Sequence, residues 1–143
     1  MLKNIHHIAY IVKDFDAAIS FFQKACGMPI RDLHYMEKED QEILFFEVGG
    51  TYIEIIKPAS KESPINRLIE HQGEGFFHIA FEVEDIEKAM TTLKAGKVKI
   101  INEKPLRGFN WRLVNLDRAD TLGVHTQIVE PIWELSKKQV QAD

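Results

Sequence analysis

Cysteine is almost absent from this chain: Cys26 is the single one among 143 residues. No intramolecular disulfide can form, a thiolate zinc cluster is excluded, and the usage fits a reducing cytosol. Cys26 falls where a helix should pack, which reads as a small core residue. Long apolar runs are missing too. The first fourteen residues hold only the run Ile8–Val12, too short for the core of a signal peptide. Nothing approaches the roughly 20 residues that a bilayer span needs. Positive charge is not in excess, since 18 Lys and Arg face 22 Asp and Glu for a net charge of −4. No basic stripe interleaves with aromatics, so neither nucleic acid nor membrane is an expected partner. Hydrophobic residues at 45% and charged residues at 28% exclude disorder as the main state, and the length fits one domain.

What the chain does have is an internal repeat. Residues 7–22 read HIAYIVKDFDAAISFF and residues 78–93 read HIAFEVEDIEKAMTTL, at an offset of 71. His7/His78, Ile8/Ile79, Ala9/Ala80, Val12/Val83, Asp14/Asp85 and Ala18/Ala89 are identical pairs. A second match, YIEIIKP at 52–58 with HTQIVEP at 125–131, follows at an offset of 73. The spacing predicts two similar modules, about 1–58 and 75–131, with a connector at 59–74 and a tail at 132–143.

Both modules share one local grammar. Ile5–Val12 and Phe76–Val83 are rich in β-branched and aromatic residues and predict strands. Asp14 and Asp85 stand as helix N-caps. Phe15, Ala18, Ile19 and Phe22, like Ile86, Ala89, Met90 and Leu93, form a single apolar helical stripe. Gly27 and Gly96 stand where each helix should end in a left-handed residue. Strands are expected at Ile30–Glu37, Gln41–Val48 and Thr51–Lys57, with Gly49-Gly50 as a tight turn. Their counterparts are Lys97–Asn102, Asn110–Leu116 and Gly123–Glu130. Ser63-Pro64 opens a short helix running to about His71, and Trp133, Leu135 and Val140 suggest a docking helix in the tail. The expected architecture is α+β: two βαβββ modules in a single domain.

The repeat also sorts the chemistry. Alternate residues of a strand share a face. His7 therefore lies with Ala9 and Ile11, away from its helix, and His78 lies with Ala80. Glu54 and Gln127 occupy matched positions on the last strand of each module. Modules related by a repeat pack about a pseudo-twofold axis, which would bring His7, His78, Glu54 and Gln127 around one point. Two imidazoles, a carboxylate and an amide oxygen make an N2O2 set suited to a divalent metal.

These residues resemble the vicinal oxygen chelate superfamily, and within it most closely the methylmalonyl-CoA epimerases. The likeness is carried by His7-Ile8-Ala9-Tyr10, by Tyr52-Ile53-Glu54-Ile55-Ile56-Lys57-Pro58, and by the stretch from Ser63-Pro64-Ile65 through Gly73-Glu74-Gly75 to Phe76-Phe77-His78-Ile79-Ala80-Phe81-Glu82-Val83. It covers residues 5–131, with glyoxalase I as the next nearest relative, and implies that the two βαβββ modules form a curled half-barrel sheet around a central metal site. The resemblance puts His7, Glu54, His78 and Gln127 on the family's four metal positions, for cobalt, nickel, zinc, manganese or iron. It implies an isomerase or lyase in which the ion stabilises an enolate while a base moves the neighbouring proton. In the epimerases and glyoxalase I the last-strand ligand is usually glutamate, and epimerases place a carboxylate base on the third strand. Here Gln127 and Ile43 stand at those positions, with Glu42 one residue away. The base candidates are Glu54, His125 and Glu42. Arg107 and Arg112 are candidate contacts for the phosphates of an acyl-CoA or for another carrier. A glyoxalase I-type lactoylglutathione lyase is the alternative reading, followed by an Fe(II) dioxygenase and a metal-free small-molecule binder of the same superfamily. A cytoplasmic homodimer acting on a small-molecule substrate, an acyl-CoA or a thiol adduct, is expected.

Overall fold

The computed structural model describes residues 1–132; the tail helix suggested by Trp133, Leu135 and Val140 lies outside them. Two compact units are present, one of residues 7–77 and the other of residues 1–6 with those from 78 onward, the boundary falling inside the first strand. No helix of the described residues is long and apolar enough to cross a membrane.

The first unit runs β1 (Asn4–Ile11), α1 (Asp16–Ala18) continuing as a π-helix over Ile19–Ala25, β2 (Asp32–Met36), β3 (Gln41–Val48), β4 (Thr51–Pro58) and α2 (Pro64–Gln72). Its strand order is β2-β3-β4-β1, with β1 and β4 parallel and the other pairs antiparallel. Gly49 and Gly50, at φ of 55° and 85°, make the turn between β3 and β4, which favours residues without a Cβ. Ser63 caps α2 by accepting from the Ile65 N–H at 3.3 Å.

The second unit runs β5 (Gly75–Glu82), α3 (Ile86–Ala95), β6 (Leu106–Arg107), β7 (Trp111–Asn115), a 3₁₀ turn over Arg118–Asp120, and β8 (Thr126–Pro131). Its strand order, β5-β8-β7-β6 with β5 and β8 parallel, repeats that of the first unit strand for strand. Residues 1–6 belong with it, the Lys3 N–H donating to the Glu82 carbonyl.

The sequence repeat is a packing repeat. In the first unit Ala18, Leu44, Phe46, Ile53 and Ile55 form a core with Tyr10, Val12, Phe15, Ile19 and Phe22 against it. In the second, Val83, Ile86, Ala89, Met90, Val114, Leu116 and Ile128 do so, with Phe81 and Leu93 against them. Tyr10/Phe81, Val12/Val83, Phe15/Ile86, Ala18/Ala89, Ile19/Met90, Phe22/Leu93 and Ile55/Ile128 are counterparts in the repeat.

Four local expectations need correction. Cys26 is exposed. The helix before it widens, the Cys26 N–H bonding to Phe21 O five residues back, and this rotates its last residues off the expected face. Asp14 caps nothing at the head of α1: it accepts only from the Asp16 N–H, and the helix starts from Phe15 without a side-chain cap. Asp85 does cap α3, accepting from the Lys88 N–H at 3.0 Å. The left-handed residue after α3 is Lys97, at φ 63°, not Gly96, at φ −80°. Residues 97–102 accordingly form no strand. Ile100 makes one bridge to Leu116, and β6 takes the outer place beside β7.

Candidate metal centre

In the first unit, β1 and β4 run parallel with Ala9 opposite Glu54. Sheet partners project to the same side, so the small Ala9 leaves room beside the carboxylate for His7, two residues away on the same face. His7 is 1% exposed and Glu54 is 4% exposed. Glu54 Oε2 stands 3.3 Å from His7 Nε2 yet has no hydrogen-bond partner. Burial pushes the Glu54 carboxyl up to about 8, because losing water penalises the charged form. Toward one end of this face the neighbours are apolar: Phe45 is the β3 partner of Glu54, and Ile43, 2% exposed, is the partner of Ile56.

In the second unit the same register recurs, with Ala80 opposite Gln127. His78 is buried, and its ring lies 5.1 Å from that of His125. Burial, and then the neighbouring His125, hold the His78 imidazole down at about 3. Burial and Arg118 also lower His125. Gln127 Nε2 donates to Asn115 Oδ1 at 3.2 Å, and Gln127 Oε1 is buried without a hydrogen-bond partner.

Of the other expected site residues, the fold turns two aside. Glu42 lies on the face of β3 opposite to Ile43 and pairs with Lys57 at 3.2 Å, so it is not brought to Glu54. Regular pairing along all of β3 leaves no bulge that would turn it inward. Arg112 is held by Glu87, at 2.6 and 3.0 Å, and by Glu130, at 2.8 and 3.2 Å. A phosphate would have to displace two carboxylates to reach it. Arg107 is exposed on β6. His6 is a core histidine, edge-on to Trp111 at 4.8 Å and lowered by burial to about 4. Asn115 meets Gln127 and His125, and Asn102 anchors Asn115; neither asparagine stood out in the sequence, where the one available sign was that Asn115 sits on the strand beside the Gln127 strand.

A buried acceptor left without a partner costs about 1–3 kcal/mol. Two such oxygens, Glu54 Oε2 and Gln127 Oε1, fall on repeat-matched positions, each in a unit with a buried histidine on the same face of the neighbouring strand. Carboxylate, amide oxygen and imidazole are the donors a borderline divalent cation takes, and the residues present fit one.

The profile of the Glyoxalase/Bleomycin resistance protein/Dioxygenase superfamily matches residues 6–115. The chain belongs to this superfamily. Among its relatives is an uncharacterised protein of Bacillus subtilis, YqjC, 26% identical over 91% of this chain and 94% of its own length. Mouse mitochondrial methylmalonyl-CoA epimerase is 25% identical over 89% of this chain and 72% of its own. Among solved structures, the Streptomyces coelicolor methylmalonyl-CoA epimerase in complex with 2-nitronate-propionyl-CoA superposes with a TM-score of 0.82 at 24% identity. That match covers 92% of this chain and 96% of the other, and the fold of the two is the same. This is the superfamily whose paired βαβββ modules the repeat predicts.

Proposed function

We propose that this superfamily member holds a divalent metal ion through His7, Glu54, His78 and Gln127 and moves a proton beside a chelated carbonyl of an acyl-CoA, in the manner of a methylmalonyl-CoA epimerase. The observation that carries this reading is the pair of buried oxygens without a hydrogen bond, Glu54 Oε2 and Gln127 Oε1, at equivalent points of the two modules. The substrate class is supported by the epimerase relatives and by the CoA ligand of the S. coelicolor enzyme.

When bound, the ion supplies a Lewis acid that stabilises negative charge on a substrate carbonyl oxygen. The protein's own groups do the rest. Burial keeps the His78 imidazole neutral, and His7, buried beside Glu54, is the second imidazole donor of this reading. Glu54 gives up its proton to become the single anionic donor. Gln127 is neutral at any pH and carries no proton chemistry, so its oxygen can only ligate. On β3, Ile43 faces the Glu54 side, whereas Glu42 faces away and pairs with Lys57, and Glu47 pairs with Arg31 at 3.3 Å. His125 is the proton-moving group in this reading: it is half-buried, lies two residues from Gln127, and carries one nitrogen without a hydrogen in its neutral form. Ile43, Phe45 and Ile56 make a dry wall beside Glu54 and limit stray proton exchange.

Incubation with methylmalonyl-CoA in D2O, with cobalt or manganese added, tests the reading by NMR. Deuterium should enter at the α-carbon at a rate set by the metal and lost in His125→Ala. No α-deuterium with metal bound would overturn the epimerase reading. Retained metal stoichiometry in His78→Ala would overturn the ligand set.

A further inference from the structure

Asn115 sits at the end of β7 as the register partner of Gln127 on β8; it donates twice to Asn102, and its side-chain oxygen accepts from His125 and Gln127. Its backbone N–H donates to Asn102 Oδ1 at 2.7 Å. A backbone N–H can only donate, so the Asn102 atom facing it must be the oxygen. The Asn115 side chain meets that same oxygen at 3.2 Å and must present its NH2 group there. Its own oxygen, Oδ1, is thereby turned the other way, toward His125 Nε2 at 3.0 Å and the Gln127 amide at 3.2 Å. An oxygen accepts, so both neighbours must donate. Gln127 is obliged to face Asn115 with Nε2 and to turn Oε1 away, and His125 is obliged to carry its hydrogen on Nε2. Every orientation in this chain of amides follows from one backbone N–H.

We propose that Asn115 is a positioning residue: through Asn102 it sets the Gln127 carbonyl oxygen as the donor atom of the site and holds His125 in its Nε2–H form, which makes Nδ1 the proton-accepting nitrogen. The consequence for a bound ion rests on the function proposed above, whereas the tautomer and the amide orientation belong to the protein itself. Without Asn115 Oδ1, Gln127 can flip and present two hydrogens where an oxygen is needed, and His125 can place its hydrogen on either nitrogen. The role is one of orientation, of the kind that partners outside a metal's ligand set perform for the ligands.

The experiment uses the full chain, labelled with 15N in histidine, at mildly alkaline pH and without added metal. In the unaltered protein the His125 Nε2 resonance should show a protonated nitrogen and Nδ1 an unprotonated one. Asn115→Leu, similar in size but without an acceptor, should mix the two tautomers. Asn102→Ala, at a half-buried position, removes the anchor and should loosen the same preference, and it serves if the leucine variant fails to fold. Cobalt titration of Asn115→Leu should then show an affinity about 10- to 100-fold weaker. His125 remaining in the Nε2–H form in the folded variants would overturn the proposal. So would weaker cobalt binding with the tautomer unchanged, which is what a merely structural role gives. If the unaltered protein binds no cobalt, the metal reading falls, and the tautomer measurement alone decides the role of Asn115.

Discussion

The two units share a strand order, a core and a register, yet they differ in what stands around the second donor. Glu54 lies among Phe45, Ile43 and Ile56, with His7 at 3.3 Å from its carboxyl oxygen. Gln127 lies in a web of amides and imidazoles made by Asn115, Asn102 and His125. At the point where the first unit has Tyr52, the second has His125. A duplicated scaffold has thus kept the histidines and divided the remaining labour. One half supplies a carboxyl whose charge is costly until a cation neutralises it; the other supplies neutral groups of fixed orientation. Within the second unit the glutamine adds no buried charge, and its amide is oriented by Asn115.

The strongest test of the shared scaffold is its core. Ile86 is fully buried, and Ile86→Ala should cost about 2–5 kcal/mol in denaturant unfolding. Its counterpart Phe15 is larger but only half-buried, with Lys57 over its ring at 5.4 Å. Phe15→Ala should cost less than Ile86→Ala, although it removes more atoms. An equal or larger loss would mean that the first core depends on Phe15 as fully as the second depends on Ile86, whatever its exposure.

An exchange of donors probes the division of labour. Glu54→Gln removes the single anionic ligand and should weaken cobalt binding by more than about a hundredfold, beyond what losing a supporting partner costs. Gln127→Glu should disturb the protein without metal, because a carboxylate oxygen would face Asn115 Oδ1 where an N–H now donates. Two opposed acceptors in a buried site cost about 1–3 kcal/mol, read as a lower midpoint in urea. Unchanged cobalt affinity in Glu54→Gln would break the contrast between the halves.

The helix starts offer a smaller contrast. Asp85→Ala removes a true N-cap and should cost about 1 kcal/mol. Asp14→Ala removes only an exposed bond to the Asp16 N–H and should cost visibly less in the same unfolding experiment.

What could be read in advance follows from how far each signal reaches along the chain. The repeat registers strand periodicity, helix stripes and matched donors together, because each module must bury the same face, and so His7, Glu54, His78 and Gln127 stood out. The failures lie where a local pattern is overridden by a distant partner or by backbone geometry. Cys26 fits an α-helical stripe, but the π-helix ahead of it rotates it outward. Lys97–Asn102 looks like a strand, but the left-handed Lys97 and a single bridge at Ile100 leave it as a loop. Glu42 stands next to Ile43 in sequence and on the opposite face in space. Arg112 reads as a phosphate ligand until Glu87 and Glu130 arrive from an adjoining helix and strand. Asn102 and Asn115 carry no periodic signature at all, because a polar network is defined by which atoms meet and not by spacing.

The Arg112 clasp gives the smallest effect, and its pH dependence has a definite sign. Hydrogen bonds from Arg112 hold the Glu87 carboxyl below its ordinary value of 4.5. A carboxyl whose folded value is depressed stabilises the fold above its unfolded value, and that contribution is lost as pH falls through the folded one. Stability should therefore decline below about pH 4.5, and Arg112→Met should remove the part of that decline due to Glu87. Because Glu87 is exposed, solvent screens the pair, and the difference between the two acid-unfolding curves should be small and should shrink further in high salt. The first unit has a comparable surface pair in Lys57–Glu42, but one made through a single contact with a flexible ammonium. At neutral pH, Lys57→Met should lower the urea midpoint less than Arg112→Met does, since a planar guanidinium held by two carboxylates is fixed in place and a lysine with one carboxylate partner is not. A larger drop from Lys57→Met would assign the stabilising electrostatics of the surface to the unit that also carries the buried Glu54.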